Sequence, residues 1–288
     1  MSRADAVAAL VGEGRGFVCG LSWLPPELLD AVSADTGSAT RTEAAAAVAA
    51  SIPVDLAFVA AGEPDAPDTV AALHAADVAA VWAVDGVFSR VARALGWTET
   101  LRLTAADPGD LAARLDRVLH DALDDVRAAF DAGADVMLIG DDLAGPSGPL
   151  MSPDYILDAL VPCYRRMTLE AGAGGLQVLF HSDGEIRVLL PALARTGISG
   201  VHLAGLDSDA FAVSAASARH ERLIVLGGIS AQSLVGGACS AGEHASAVAC
   251  SLGGVVVCDD GGITTFEELV AFSAAIDAAR GTFRHPRA

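Results

Sequence analysis

At 288 residues the chain is long enough for one large domain or two small ones, and with 52% hydrophobic but only 5% aromatic residues its core is built from Ala, Val and Leu. A formal net charge of −19, with all 18 basic residues Arg, makes a surface that repels nucleic acid and anionic lipid, so neither is an expected partner. No apolar run reaches the roughly 18–20 residues that span a bilayer.

The N-terminal "MSRADAVAALVGEGRG" carries acids early and no cleavable signal pattern. Five cysteines without a CxxC spacing are expected as reduced thiols of a cytoplasmic protein. Short runs rich in Val, Leu and Ile then recur: "GFVCGLSWL" at 16–24, "VDLAFVAA" at 54–61, "AAVWAVDG" at 79–86 and "DVMLIGDD" at 135–142. They continue with "LQVLFHSD" at 176–183, "GVHLAG" at 200–205, "LIVLGGI" at 223–229 and "GGVVVCDD" at 253–260. Near-continuous apolar runs suit strands buried on both faces, as in a parallel sheet.

Helical pattern fills the intervals. The segment 107–134 opens on Asp-Pro-Gly and closes on Gly133. "SPDYILDALVPCYRRMTLEAG" places Ser152 at an N-cap with Pro153 at the first helical position. Pro191 should bend or restart the helix of "EIRVLLPALARTG", and Thr265 should cap a last helix ending on Gly281. Strands alternating with helices in this number predict an α/β protein, a (β/α)8 TIM barrel forming a single domain over 1–288. A doubly wound open sheet is the alternative, weakened because no glycine-rich dinucleotide fingerprint follows any strand.

In such a barrel the functional face is built at the strand C-terminal ends, and the polar residues gather there. Asp85 ends the third run, Asp141 and Asp142 the fourth, His181 and Asp183 the fifth, and Asp259 and Asp260 the eighth, while His202 lies in the sixth. His181 and Asp183 are two apart and point the same way in extended chain, whereas of the adjacent Asp141 and Asp142 only one can face the axis. An imidazole among carboxylates suits proton transfer near neutral pH, so His181, Asp183, Asp141 and Asp142 are the candidate catalytic residues. Asp85, His202, Asp260 and Ser152 are candidate substrate-binding residues. His181 and Asp183 are also candidate ligands of a divalent metal such as zinc, although no pair has a diagnostic spacing. For Asp183 an N-cap role, and for His202 a core role bonded to a neighbouring carbonyl, are the plain structural alternatives.

The order of "AGADVMLIGDDLAGPSGPLMSPDYILDALVPCYRRM", "VLFHSDGEIRVLLPALARTGISGVHLAG" and "GGVVVCDDGGITTFEELVAF" resembles the uroporphyrinogen decarboxylase superfamily, over about residues 75–280. That resemblance implies a (β/α)8 barrel, homodimerisation, and one of two chemistries: decarboxylation, or methyl transfer by relatives that work with a corrinoid partner. The decarboxylases carry an arginine-bearing loop after the first strand; here the strand is followed by "SWLPPELL", without Arg. In the methyltransferases a zinc motif reads His-x-Cys with a later Cys. Here His181 matches the first ligand, Asp183 stands at the second, and Gly261 occupies the last Cys position. The expectation is therefore a decarboxylase-like enzyme using His/Asp acid–base chemistry on a substrate other than uroporphyrinogen. The alternatives are a corrinoid-linked methyltransferase and a non-catalytic tetrapyrrole-binding or partner subunit.

Overall fold

A computed structural model describes residues 2–10 and 17–284; Gly16, where the first predicted run begins, and His285 lie outside them. All eight apolar runs are strands: β1 (Cys19–Leu21), β2 (Leu56–Ala60), β3 (Ala79–Asp85), β4 (Val136–Gly140), β5 (Gln177–Asp183), β6 (Gly200–Ala204), β7 (Ile224–Ile229) and β8 (Val255–Asp259). Each pairs in parallel with its sequence neighbours, and β1 closes on β8 through Cys19 opposite Val257 and Gly20 opposite Cys258. The result is a closed (β/α)8 barrel, as predicted, and the open-sheet alternative falls.

Alternation along each strand separates two cores. Leu56, Phe58, Val81, Leu138, Leu179 and Leu226 fill the barrel, while Ala57, Val59, Trp82, Ile139 and Phe180 face the helical layer. Full burial of side chains of this size contributes roughly 1.5–3 kcal/mol each, which is why both faces of every strand read as apolar. Ala6 and Leu10 of the N-terminal helix Arg3–Leu10 join the inner core and plug the bottom of the barrel.

The helix Pro108–Asp131 starts with Asp107 accepting from the Asp110 amide, and Gly133 follows its end at φ 72°. Pro191 lies just inside the short helix Leu190–Ala194, after a 3-10 turn over Arg187–Leu189, so it restarts the segment. Within 153–173, Pro162 has no amide to donate and the chain widens into a π-turn over Ile156–Leu160. The last helix, Phe266–Arg284, is capped by Thr265 as expected but runs on through Gly281.

Candidate active site

The upper ends of β4, β5, β6 and β8 converge around His181. It has the same parity as Leu179 and so points into the barrel, where only 8% of it is exposed. Below it lies His202, fully buried, with Nδ1 2.9 Å from Nδ1 of His181. Nε2 of His202 is 2.7 Å from the Asp259 carbonyl oxygen. A carbonyl can only accept, so His202 carries its proton on Nε2 and its Nδ1 is an acceptor. His181 must then donate from Nδ1, and its Nε2 keeps a free lone pair. Burial holds the His202 pKa down at about 4, and burial together with the His202 ring holds His181 well below the usual imidazole range, so both are neutral near pH 7.

That lone pair is turned toward two carboxylates. Nε2 of His181 stands 3.6 Å from Oδ1 of Asp142 and 4.0 Å from Oδ1 of Asp183. These contacts are not ion pairs, because His181 is uncharged. The Asp142 and Asp183 side chains are 41% and 55% exposed at the open rim, and Oδ1 of Asp142 also accepts from the Asp183 amide at 3.0 Å. Partial burial, then the charges of Asp142 and Asp260, push Asp183 up to about 6.

Three acceptor atoms, one from each side chain, lie within 4.8 Å of one another, with only the Asp183 amide seen donating to one of them among the described residues. A proton or a cation relieves that arrangement. One imidazole nitrogen and two carboxylate oxygens form a donor set that a divalent ion such as zinc accepts at bonds of about 2.0–2.2 Å. Asp142 completes a triad of which the sequence reading named His181 and Asp183. Cys258 stays out of it: it packs in the inner core, and burial raises its thiol pKa well above the ordinary value.

The other candidates are placed differently. Asp141 has the outward parity of Ile139 and is fully buried beneath the mouth. It accepts from the amides of Phe88 and Ser89, from the Ser89 hydroxyl, and from the Tyr164 hydroxyl at 2.8 Å. Burial pushes it up to about 6 against the pull of those donors. A side chain at Gly86 would meet this carboxylate at 2.3 Å, so Gly86 is what lets it reach the helix start. Asp141 therefore anchors the helix Val87–Leu95, and, fully buried, it is not among the groups gathered with His181 at the mouth. His202, expected to touch substrate, is fully buried between His181 and the Asp259 carbonyl, the contact that the core alternative describes. Asp85 is tied to Arg93 at 2.6 Å. Ser152 is exposed at its N-cap position without a side-chain cap bond. Asp260 lies on the rim, accepting from the amides of Ala231 and Gly262 at 3.3 Å, and burial raises its pKa.

Asp183 caps no helix; Gly184, at φ 78°, turns the chain there. A side chain at 184 would meet the Gly145 carbonyl at 2.6 Å, in the small hairpin formed by Ala144–Gly145 and Gly148–Pro149. The residue that sequence reading missed is Trp23. Its ring lies edge-on to His181 at 5.0 Å and to Phe58 at 5.0 Å. The only signal for it was an indole directly after the first apolar run, in "LSWLPP".

A closed parallel barrel with an imidazole and two carboxylates gathered at its C-terminal mouth defines a TIM-barrel protein. The family profile described as uroporphyrinogen decarboxylase (URO-D) matches residues 70–254, and the chain belongs to that family. A methyltransferase from Methanosarcina mazei has a similar structure, with TM-score 0.72, 19% identity, and 98% of both chains covered. D-psicose 3-epimerase from Clostridium cellulolyticum H10 shares the fold at TM-score 0.58 and 11% identity, covering 93% of this chain and 99% of that one. An L-ribulose 3-epimerase does so at TM-score 0.58 and 12% identity, over 93% of this chain and 96% of its own. No curated protein matches by sequence. Among the described residues no helix is long and apolar enough to cross a membrane.

Proposed function

We propose that this URO-D family member is an enzyme acting on a small oxygen-bearing substrate other than uroporphyrinogen, with His181, Asp142 and Asp183 holding a divalent cation at the reacting end. The observation that carries this reading is the placement of Nε2 of His181, its ring held by His202, 3.6 Å from Asp142 and 4.0 Å from Asp183. Such an ion, when bound, draws electron density from a carboxylate or carbonyl oxygen. The Nδ1 bond to His202 keeps the His181 ring from turning. Asp260, a further rim acid, is suited by its raised pKa to hold and hand over a proton. Trp23 screens one side of His181 from water.

The rim argues against a tetrapyrrole polycarboxylate. Asp142, Asp183 and Asp260 make it acidic, and the nearby arginines are already held: Arg93 by Asp85, Arg187 by Glu185 and Arg41 by Asp30. A polyanion would lose its hydration there without a matching charge. An oxygen donor, Asp183, at one Cys position of the resembling zinc motif and Gly261 at the other favour decarboxylase-like lyase chemistry over thiol alkylation. Methyl transfer with a corrinoid partner is the second reading, supported by His181 at the first ligand position of that motif and by the fold shared with the Methanosarcina methyltransferase.

Metal content after loading with Zn2+ or Mn2+, followed by desalting, tests the proposal. One ion per chain is expected, lost in His181→Ala and Asp183→Asn. A wild-type chain that retains no ion refutes the metal reading. Stoichiometric metal with demethylation of a methylcorrinoid protein would select the second reading. Tight tetrapyrrole binding without turnover would select the non-catalytic one.

A further inference from the structure

Between the β1–β2 wall and the helices Pro26–Thr36, Arg41–Ser51 and Ala66–Ala75 lies a cavity of about 230 Å³. Its walls are Leu21, Ala57 and Val59 from the strands and Leu29, Ala45 and Leu73 from the helices. Trp23 and Phe58 line it on the side of the barrel axis, and Trp23 also touches His181, so one indole is shared by this cavity and by His181. The indole is seated against Gly261, where a side chain would come within 3.5 Å of the ring.

We infer that this cavity is a subsite for an uncharged, apolar arm of the substrate whose reacting end meets His181, Asp142 and Asp183. The inference rests on the function proposed for that triad. Interiors close-pack, and voids larger than a water molecule are few; an apolar cavity of about 150 Å³ is already enough to take up benzene. By that scale this one accepts a substituted ring of about nine non-hydrogen atoms. Charge decides the rest of its chemistry. Two polar groups at its outer edge are held by neighbours outside the cavity: Arg41 by both oxygens of Asp30 at 2.6 and 2.7 Å, and Asp65, which accepts from the Thr42 hydroxyl at 2.7 Å. Exposed Glu63 adds a negative charge at the same edge. A carboxylate would be repelled there, and an ammonium group buried among Leu and Ala, away from that acidic edge, would lose its hydration uncompensated.

Calorimetric titration with benzyl alcohol, benzoate and benzylammonium, each with and without EDTA, tests the subsite apart from the metal. Benzyl alcohol should bind at least about tenfold tighter than either charged analogue, and Ala45→Trp, which fills the cavity from the helix side, should weaken it at least about tenfold. Zn2+ or Mn2+ titration of Ala45→Trp should match wild type. If that variant does not fold, Leu29→Ala serves in the opposite direction: it enlarges the cavity and should admit 2-naphthalenemethanol, which wild type excludes. Charged probes binding as well as the alcohol, or indifference of the alcohol to Ala45→Trp, overturns the subsite. So does a Leu29→Ala protein that gains nothing for the larger probe. Loss of metal binding with probe selectivity intact would count against the triad alone.

Discussion

Nδ1 of His181 meets Nδ1 of His202 at 2.9 Å, and the Asp259 carbonyl decides which ring donates. His202 therefore acts on whatever binds at the mouth without touching it. Replacing it by Phe removes the acceptor for the His181 proton and frees both tautomers and the ring's rotation. Partners of this kind typically cost 10–100-fold in metal affinity when lost. Competition titration with a Zn2+ chelator should show a drop of about that size in His202→Phe, with partial recovery in His202→Gln, whose amide oxygen can accept. Affinity unchanged in His202→Phe would mean that the bond orients nothing.

The same pair sets an acid limit on stability. His202 is held at about 4 in the folded protein, against an unfolded value near 6.5. Its stabilising contribution is full above the unfolded value and is lost as pH falls toward 4. Asp141, raised to about 6, has the opposite sign: its contribution is present at low pH and is lost as pH rises through 6. Asp141 cancels when wild type and His202→Gln are compared. Urea unfolding at pH 7.5 and pH 5 should show wild type losing on the order of 1–2 kcal/mol relative to the variant over that interval. A pH-independent difference would place the His202 proton elsewhere.

Much of this was legible in the residues because a closed parallel barrel buries both faces of its strands. Each strand therefore surfaced as an unbroken apolar run, down to the three-residue β1 inside "GFVCGLSWL". That His181, Asp183 and one of Asp141 and Asp142 meet at a common mouth followed from strand ends alone. What the residues could not say was parity at the point where β4 stops. Whether Asp141 or Asp142 turns inward depends on the pleat of that strand, and the Gly86 contact that receives Asp141 is distant in sequence. His202 was ambiguous for the same reason, since its partner is a backbone carbonyl with no residue signature. The hairpin at 144–149 is too short for any periodicity, and the cavity beside Trp23 exists only because three early helices stand off the β1–β2 wall.

Asp183 occupies the place where the resembling zinc motif has Cys, and this substitution is testable in reverse. A thiolate there should shift preference toward softer ions. Asp183→Cys should bind Zn2+ and Cd2+ more tightly relative to Mn2+ than wild type does. Its Co2+ form should show thiolate-to-cobalt charge-transfer absorption that wild type lacks. Co2+ binding without that band would mean that residue 183 is not a ligand.

At the opposite end of the barrel, Asp55 is a structural counterpart to the rim acids. It is 3% exposed, accepts from the Cys19 amide at 2.8 Å and is paired with Arg280 at 2.6 Å. Arg280 also donates to the Pro53 carbonyl, so the last helix is tied beneath the β1–β2 seam. Removing one partner of a buried pair leaves a charge stranded and typically costs about 3–5 kcal/mol. Arg280→Ala should lose about that much in urea unfolding while binding Zn2+ or Mn2+ at wild-type stoichiometry below its transition. A folded Arg280→Ala protein with reduced metal content would show that the two ends are coupled, against the division of labour in which the bottom of the barrel holds the fold and the rim holds the chemistry.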